Sequence, residues 1–151
     1  IFLAPYINSY KRFTKGTFAP TNAVWSVDNR TSAFRLCSEN TDSIRVECRI
    51  PGSDMNPYLG LAAMLAAGLK GIEEKLSLPE QYQGNAYQDI PNRRIPETLS
   101  EARDAALLSP MLKEAFGEET ILHYARAAEW EIEEFNRTVT SYEIERGFER
   151  A

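Results

Sequence analysis

The stretch Ser43-Ile44-Arg45-Val46-Glu47-Cys48-Arg49-Ile50 alternates strictly between polar or charged and apolar side chains. Successive side chains of a β-strand point to opposite faces, so this alternation predicts a strand with one apolar and one charged face. The apolar face consists of Ile44, Val46, Cys48 and Ile50, and we expect it to pack on a core. On the charged face, neighbouring side chains of Arg45, Glu47 and Arg49 lie about 6.6 Å apart along the strand.

A second strand is predicted immediately upstream. The sequence Val27-Asp28-Asn29-Arg30-Thr31-Ser32-Ala33-Phe34-Arg35 is typical of a turn that leads into a strand. Only a short turn at residues 38–43 separates the two strands, so we expect them to pair antiparallel. In that arrangement Arg30, Arg35, Arg45 and Arg49 share one sheet face with Glu47.

The two parts of the chain differ in composition. Residues 1–52 are rich in Thr, Val, Phe, Arg and Asn and predict loops and strands, whereas residues 53–151 are rich in Ala, Leu and Glu and predict helices. The fold class is therefore α+β, with antiparallel strands followed by a helical C-terminal region. Residues 78–94, which contain several proline, glycine and asparagine residues, predict a long irregular connection.

Helix boundaries are marked by capping residues. Asn56-Pro57 predicts the start of a helix, and every residue at positions 59–69 is apolar or glycine, so we expect this helix to be buried on nearly all sides before Pro79 stops it. Thr98 with Glu101, and Thr140 with Glu143, have the spacing of capping boxes. Ser109-Pro110 predicts another start, and residues 118–138 carry a helical apolar stripe.

Composition excludes several classes of function. The formal net charge of −5 over 151 residues gives no electrostatic basis for binding nucleic acid or an anionic membrane. A single histidine, His123, and two cysteines without a CxxC pair argue against a zinc site. The opening Ile1-Phe2-Leu3-Ala4-Pro5 is not a signal peptide. We expect a cytoplasmic chain that is part of a longer protein.

The charged strand face is compatible with two interpretations. Guanidinium groups bind planar carboxylates and phosphates, and a carboxylate among them can hold a divalent cation that bridges phosphate oxygens. This interpretation predicts a site for a polyphosphate, a metal ion and a carboxylate substrate. The alternative is a solvated sheet face with cross-strand ion pairs. On the pattern alone the second is favoured, because short charge patterns often match by chance.

A set of ordered motifs changes that balance. They are Asn8-Ser9-Tyr10-Lys11-Arg12, Ala19-Pro20, Asn29-Arg30 with Arg35, Arg45-Val46-Glu47-Cys48-Arg49, and Asn56-Pro57-Tyr58-Leu59. In this order and spacing they resemble the C-terminal half of the glutamine synthetase catalytic domain. Pro96, Thr98, Leu99 and Ala102, then Phe116-Gly117-Glu118, and Val139-Thr140 with Glu143 extend the resemblance over nearly the whole chain.

The resemblance implies an ATP-dependent ligase that joins glutamate to an amine through γ-glutamyl phosphate. Arg12 and Arg49 resemble the arginines that hold glutamate. Arg30, Arg35 and Arg45 resemble those that hold the ATP phosphates, with Arg30 and Arg35 in catalytic positions at the transferring phosphoryl group. Glu47 resembles a ligand of Mg²⁺ or Mn²⁺. The family also implies ring-shaped self-association, and the remaining ligands would lie upstream, so we expect this chain alone to be inactive.

Departures from the family pattern bear on the amine. Ammonia-using bacterial members have a glutamate directly before the Ala-Pro, but here the position is Phe18 and residues 14–22 contain no acid. An aromatic residue there resembles relatives that glutamylate polyamines or other primary amines. True glutamine synthesis from ammonia is the alternative, and a non-catalytic relative is a further one. Asp42 replaces a family lysine, which puts one nucleotide contact in doubt. Tyr87 is interpreted as an ordinary loop aromatic.

Overall fold

A computed structural model describes residues 1–88, 90–91 and 93–150. Its elements confirm the predicted α+β class, with a small sheet followed by helices. In chain order they are α1 (Ile7–Tyr10), β1 (Trp25–Val27), β2 (Phe34–Cys37), β3 (Arg45–Cys48), α2 (Pro57–Glu73), α3 (Leu99–Leu108), α4 (Pro110–Phe116), α5 (Glu118–Arg137) and α6 (Ser141–Glu149). No helix in the described part of the chain is long and apolar enough to cross a membrane.

The sheet has the strand order β1-β2-β3. Strands β2 and β3 pair antiparallel, as predicted, with Arg35 opposite Glu47. Strand β1 was not predicted, and it pairs with β2 in parallel. Between them, residues 28–33 fold back tightly: Asp28 has a left-handed backbone with φ of 47°, and the Asn29 side chain accepts hydrogen bonds from the Thr31 amide and hydroxyl.

The cores lie on the helical side of the molecule. One cluster contains Ala4, Tyr10, Leu99, Ala102 and Ala128, and a second contains Phe2, Ala106 and Ile121. The chain segment before the sheet thus packs directly on helices α3 and α5. The Tyr10 hydroxyl donates to the Ala4 carbonyl at 2.7 Å, which satisfies the only polar atom of a buried ring.

Side-chain caps define the helix starts. The Asn56 Oδ1 atom accepts from the amides of Tyr58 and Leu59 at 3.0 and 3.3 Å, as predicted for the start of α2. Ser109 caps α4, and Thr140 and Glu143 form a complete capping box at α6. Thr98 caps α3 through its hydroxyl, but the Glu101 carboxylate accepts from the Glu97 amide instead of closing the predicted box.

Side chains of the sheet hold the irregular segment at residues 78–94. Trp25 donates its indole N–H to the Pro79 carbonyl at 2.7 Å, and the Ser26 hydroxyl donates to the Tyr82 carbonyl at 2.8 Å. The described residues of this segment form no helix, as predicted, and its one β-bridge joins Arg94 to Asn22. Asp89 and Asn92 lie outside the described residues.

Two burial predictions are wrong. Helix α2 has only Gly60 buried, and five of its large apolar side chains are more than half exposed. Ile44, just before β3, and Val46 on it are 54% and 64% exposed, so this end of the predicted apolar strand face does not pack on a core. Val46 lines an open apolar cavity of about 820 Å³, to which α2 contributes only Ala67 and Gly68.

Candidate active site

Glu47 is the centre of the charged sheet face. Its Oε2 atom accepts from Arg35 Nη1 at 3.1 Å, and its Oε1 atom accepts from Arg49 Nη1 at 2.6 Å. The antiparallel register places Arg35 directly opposite Glu47, and Arg49 follows two positions later on the same chain. Of the four arginines predicted to share this face with Glu47, the structure brings two, Arg35 and Arg49, onto its carboxylate.

The carboxylate remains ionised in this setting. Burial by itself would raise the pKa of Glu47, but the hydrogen bond from Arg35 and the charges of Arg49 and Arg35 outweigh it, so the pKa lies below its usual value. The hydrogen bond with Glu47 in turn raises the pKa of Arg35. At neutral pH the cations Arg35 and Arg49 face two carboxylates, Glu47 between them and Asp28 on the far side of Arg35, so their charges balance.

Both arginines retain donors that the protein does not use. The Nε atoms of Arg35 and Arg49 are buried and have no hydrogen-bond partner among the described residues. A buried N–H without a partner is costly, and a ligand oxygen would satisfy it. These two atoms fit a phosphate or carboxylate bound across the sheet face.

Arg49 also contacts the loop that contains Phe18. Its Nη2 atom donates to the Phe18 carbonyl at 3.0 Å. Phe18 has a left-handed backbone with φ of 58°, and its side chain is exposed. The loop at residues 14–22 is therefore attached to the charged cluster through its main chain, while its aromatic side chain stays free to contact another molecule.

Arg12 lies next to the cluster without joining it. Its guanidinium donates to the carbonyls of Arg49 and Ile50 and lies over the Phe13 ring, with Cζ 5.0 Å from the centroid. Burial lowers the pKa of Arg12, and the charge of Arg49 lowers it further, against the opposing effect of Asp54. The lowering by Arg49 is the expected result of two neighbouring cations, and a shared anion would relieve it.

The other two predicted arginines stand apart. Arg30 is exposed in the loop between β1 and β2 and forms no ion pair within the described part of the chain. Arg45 is exposed on β3, and its Nη1 atom has only long contacts, at 3.4 Å, to the Ser38 hydroxyl and the Ser43 carbonyl. The structure thus brings together Arg35, Glu47 and Arg49, with Arg12 beside them, and leaves Arg30 and Arg45 at the rim.

Two residues of the cluster were missed by sequence reasoning. The Asp28 Oδ1 atom accepts from Arg35 Nη2 at 3.0 Å, and the Cys37 thiol lies 3.7 Å from Glu47 Oε2. Asp28 directly precedes the Asn29-Arg30 motif, and acidic residues are common in turns, which was the only available signal. Cys37 is buried and lies two positions after Arg35 on β2, so it is on the same face of the sheet.

The described residues of the cluster offer one ligand to a metal ion. Within residues 1–88, 90–91 and 93–150, no group of three His, Cys, Asp or Glu side chains is close enough to hold a cation. Glu47 is 38% exposed, and each of its oxygens has a lone pair that the arginines do not use. Its chemistry fits one oxygen ligand of Mg²⁺ or Mn²⁺, in a coordination sphere completed by groups from elsewhere.

Comparison with known protein families decides the classification. The family model of the glutamine synthetase catalytic domain matches residues 1–147. The chain belongs to the glutamine synthetase family. The resemblance inferred from the sequence motifs is thereby confirmed, and the charged cluster lies within the matched part.

Similar members of the glutamine synthetase family differ in the activities that their names state. The chain is 47% identical to gamma-glutamylethanolamide synthetase GlnA4 of Streptomyces coelicolor over 99% of its length, and 41% identical to glutamine synthetase of Thermus thermophilus over 94%. The solved structure of GmaS without ligand superposes with a TM-score of 0.78 at 27% identity and covers 94% of the chain. In each case the chain spans about a third of the relative's own length, 32%, 33% and 32% respectively.

Proposed function

We propose that residues 1–151 work within an ATP-dependent ligase that joins the γ-carboxyl of glutamate to an amine through γ-glutamyl phosphate. The observation that carries this proposal is the Arg35–Glu47–Arg49 cluster with its two unused Nε donors. Phosphoryl transfer needs positioned cations more than covalent help from the protein, because negative charge spreads over the transferring group. Guanidinium groups held on one sheet face, with N–H donors that the described residues leave without partners, meet that need.

The arginines divide between the two anionic substrates. Arg49 and Arg12 lie on one side of the cluster, and we assign them to the carboxylates of glutamate. Arg35 is assigned to the transferring phosphoryl group, and the exposed Arg30 and Arg45 at the rim to the ATP phosphates. Rim arginines on long, flexible side chains suit a nucleotide that enters and leaves during each turnover.

Glu47 is the residue of this chain that would hold Mg²⁺ or Mn²⁺. The cation, when bound, neutralises phosphate charge between the nucleotide and the transferring group. Glu47 has a second task at the same time, because it accepts a hydrogen bond from both Arg35 and Arg49. We further propose that the remaining ligands come from other parts of the full-length enzyme, that the enzyme forms a ring-shaped oligomer, and that it is cytoplasmic.

The amine is proposed to be a polyamine or another primary amine, with ammonia as the alternative. Phe18 is exposed, its carbonyl is held by Arg49, and the loop at residues 14–22 has no acidic side chain. Ammonium must lose a proton before it can attack, and a nearby carboxylate assists that step. An aromatic ring instead packs on methylenes or holds a cation over its face. GlnA4, whose name specifies an ethanolamide product, supports this direction, whereas the glutamine synthetase of T. thermophilus supports the alternative.

A specificity panel on the full-length enzyme tests the proposal. Turnover is measured as glutamate-dependent ADP release with ammonium, putrescine, spermidine, ethanolamine and isopropylamine, and kcat/KM values are compared. We expect at least one organic amine to exceed ammonium by about tenfold, which corresponds to about 1.4 kcal/mol of transition-state preference. Phe18→Glu should shift the ratio toward ammonium, while Phe18→Leu, the matched control without charge, should not.

The outcomes distinguish the assignment of the amine from the assignment of the ligase activity. If ammonium exceeds every organic amine by about tenfold, the inference from Phe18 fails but the ligase assignment stands. If no amine stimulates glutamate-dependent ADP release, the ligase assignment itself is wrong.

A further inference from the structure

Asp28 holds the second terminal nitrogen of Arg35. Its Oδ1 atom lies 3.0 Å from Arg35 Nη2, while Glu47 Oε2 lies 3.1 Å from Arg35 Nη1. A guanidinium held at one nitrogen can still turn about its own axis, whereas one held at both terminal nitrogens has a fixed plane. We propose that Asp28 is a positioning residue that orients Arg35 for the phosphoryl group, which deepens the proposed ligase function and rests on it.

The backbone at Asp28 is held in place independently of the side chain. Its φ of 47° lies in the left-handed region, and its amide donates to the Leu36 carbonyl at 3.0 Å, so the residue is fixed against β2. This conformation turns the chain immediately after β1. Asparagine and glycine adopt it at least as easily as aspartate. Backbone shape therefore does not require a carboxylate at this position.

The exposure of the Asp28 carboxylate leaves it no role in core packing. The Asp28 side chain is 61% exposed, while that of Arg35 is only 20% exposed. An exposed ion pair contributes little to stability, because water screens it and ordering the side chains costs entropy. The contact is thus better suited to fixing a direction than to holding the fold together.

The two ion pairs fix the direction of the N–H groups of Arg35 that remain unused. A guanidinium has five N–H groups, of which Glu47 and Asp28 each occupy one. The Nε–H group is buried and unpartnered among the described residues. With its plane fixed, Arg35 presents this unused donor in one orientation. Loss of Asp28 would leave the Arg35 side chain attached only to Glu47 among the described residues, so the whole guanidinium, with its unused donors, could turn away from this direction.

Substitutions of Asp28 in the full-length enzyme separate the effect of its carboxylate charge from the effect of its backbone conformation. Asp28→Gly fits the left-handed backbone without strain and removes only the carboxylate, and Asp28→Asn keeps a neutral acceptor. We expect kcat to fall about tenfold in Asp28→Gly, the size of effect typical for a lost charge-assisted hydrogen bond, and less in Asp28→Asn, with the KM for ATP changed less than about twofold. Glu39→Gln, an exposed acid in the next turn, is the matched control and should leave kcat unchanged.

A double-mutant cycle distinguishes positioning from a general structural effect. In an Arg35→Lys background, Asp28→Gly should add less than about twofold to the loss of kcat, because the group that it orients is already gone. Full multiplication of the two losses would overturn the proposal. So would normal kcat in Asp28→Gly.

A structural measurement does not depend on the reaction. In crystals of full-length Asp28→Gly, we expect the Arg35 guanidinium to occupy more than one orientation, with the backbone at residues 27–36 unmoved. A single, unchanged Arg35 orientation would overturn the role of Asp28 even if the ligase assignment holds. If the unsubstituted enzyme shows no glutamate-dependent ADP release, the proposed function fails, and this measurement still decides whether Asp28 orients Arg35.

Discussion

At the scale of single residues, the proposed function gives Glu47 two kinds of partner at once. Each of its oxygens accepts from a different arginine, and in the proposed function the same carboxylate also holds a divalent cation. A carboxylate that binds two guanidinium groups has reduced negative charge available for a metal, so such a ligand is expected to bind the metal with moderate strength. This sharing makes the charge of Glu47 more important than its size.

Glu47→Gln tests this sharing. The substitution keeps the shape and one acceptor oxygen but removes the charge that the metal needs. We expect the half-saturating concentration of Mg²⁺ or Mn²⁺ to rise at least about tenfold, in line with losses at metal-binding sites. Initial rates against metal concentration measure it, and circular dichroism checks that the fold survives. Metal dependence identical to that of Glu39→Gln and of the unsubstituted enzyme would contradict the role.

Sequence pattern predicted the centre of the site but not its rim. The alternation at residues 43–50, combined with a short turn, is enough to place Arg35, Glu47 and Arg49 on one face, because strand geometry leaves few alternatives. The orientation of Arg45 could not be predicted, since an exposed long side chain near a turn has several equivalent partners. The contact of Asp28 depends on a left-handed backbone that no periodicity reports.

At the scale of secondary-structure elements, helix starts were the best-predicted features. Asn56, Ser109 and Thr140 cap their helices as expected, because a cap is a local interaction between residues close in sequence. The parallel pairing of β1 was missed for the opposite reason. A parallel pair normally needs a long crossover, whereas here the tight turn at residues 28–33 replaces it.

Asn56→Ala tests the cap of α2. The substitution leaves the amides of Tyr58 and Leu59 without their acceptor, and losses of about 1 kcal/mol are typical for such a change. We expect faster hydrogen–deuterium exchange in peptides from the first turns of α2 in the full-length protein, by about fivefold. Asn56→Asp, which keeps the acceptor, should exchange like the unsubstituted protein. Equal exchange in both variants would show that tertiary packing, not the cap, holds the first turn.

At the scale of the whole molecule, helix α2 presents an uncovered apolar row. Its members lie at helical spacing and are 58–85% exposed: Tyr58 85%, Leu61 61%, Leu65 64%, Leu69 58% and Ile72 76%. A sequence pattern reports that a helix is apolar all round, but it does not report which segment covers it. The prediction of burial therefore failed for residues 1–151, although the same pattern is typical of a helix with partners on several sides.

The exposed row predicts the behaviour of residues 1–151 produced alone. Contiguous apolar surface of this kind promotes association, so we expect concentration-dependent sedimentation and binding of a hydrophobic dye. A double substitution, Leu65→Gln with Leu69→Gln, should weaken both signals. Leu122→Gln, which makes the same chemical change on α5 at a side chain 52% exposed, should not. A concentration-independent monomer that binds no dye would contradict this prediction.

The main-chain contact between Arg49 and Phe18 has a consequence for sequence divergence. Every amino acid has a carbonyl oxygen, so the residue at position 18 can be exchanged without loss of the bond that holds the loop. The left-handed φ restricts the choice only mildly, at about 1–2 kcal/mol for a side chain other than glycine. A substitution at position 18 can therefore change the side chain that the loop presents. The main-chain contact that places the loop persists. In the proposed function, such a position lets a lineage change the amine that it uses without rebuilding the site around it.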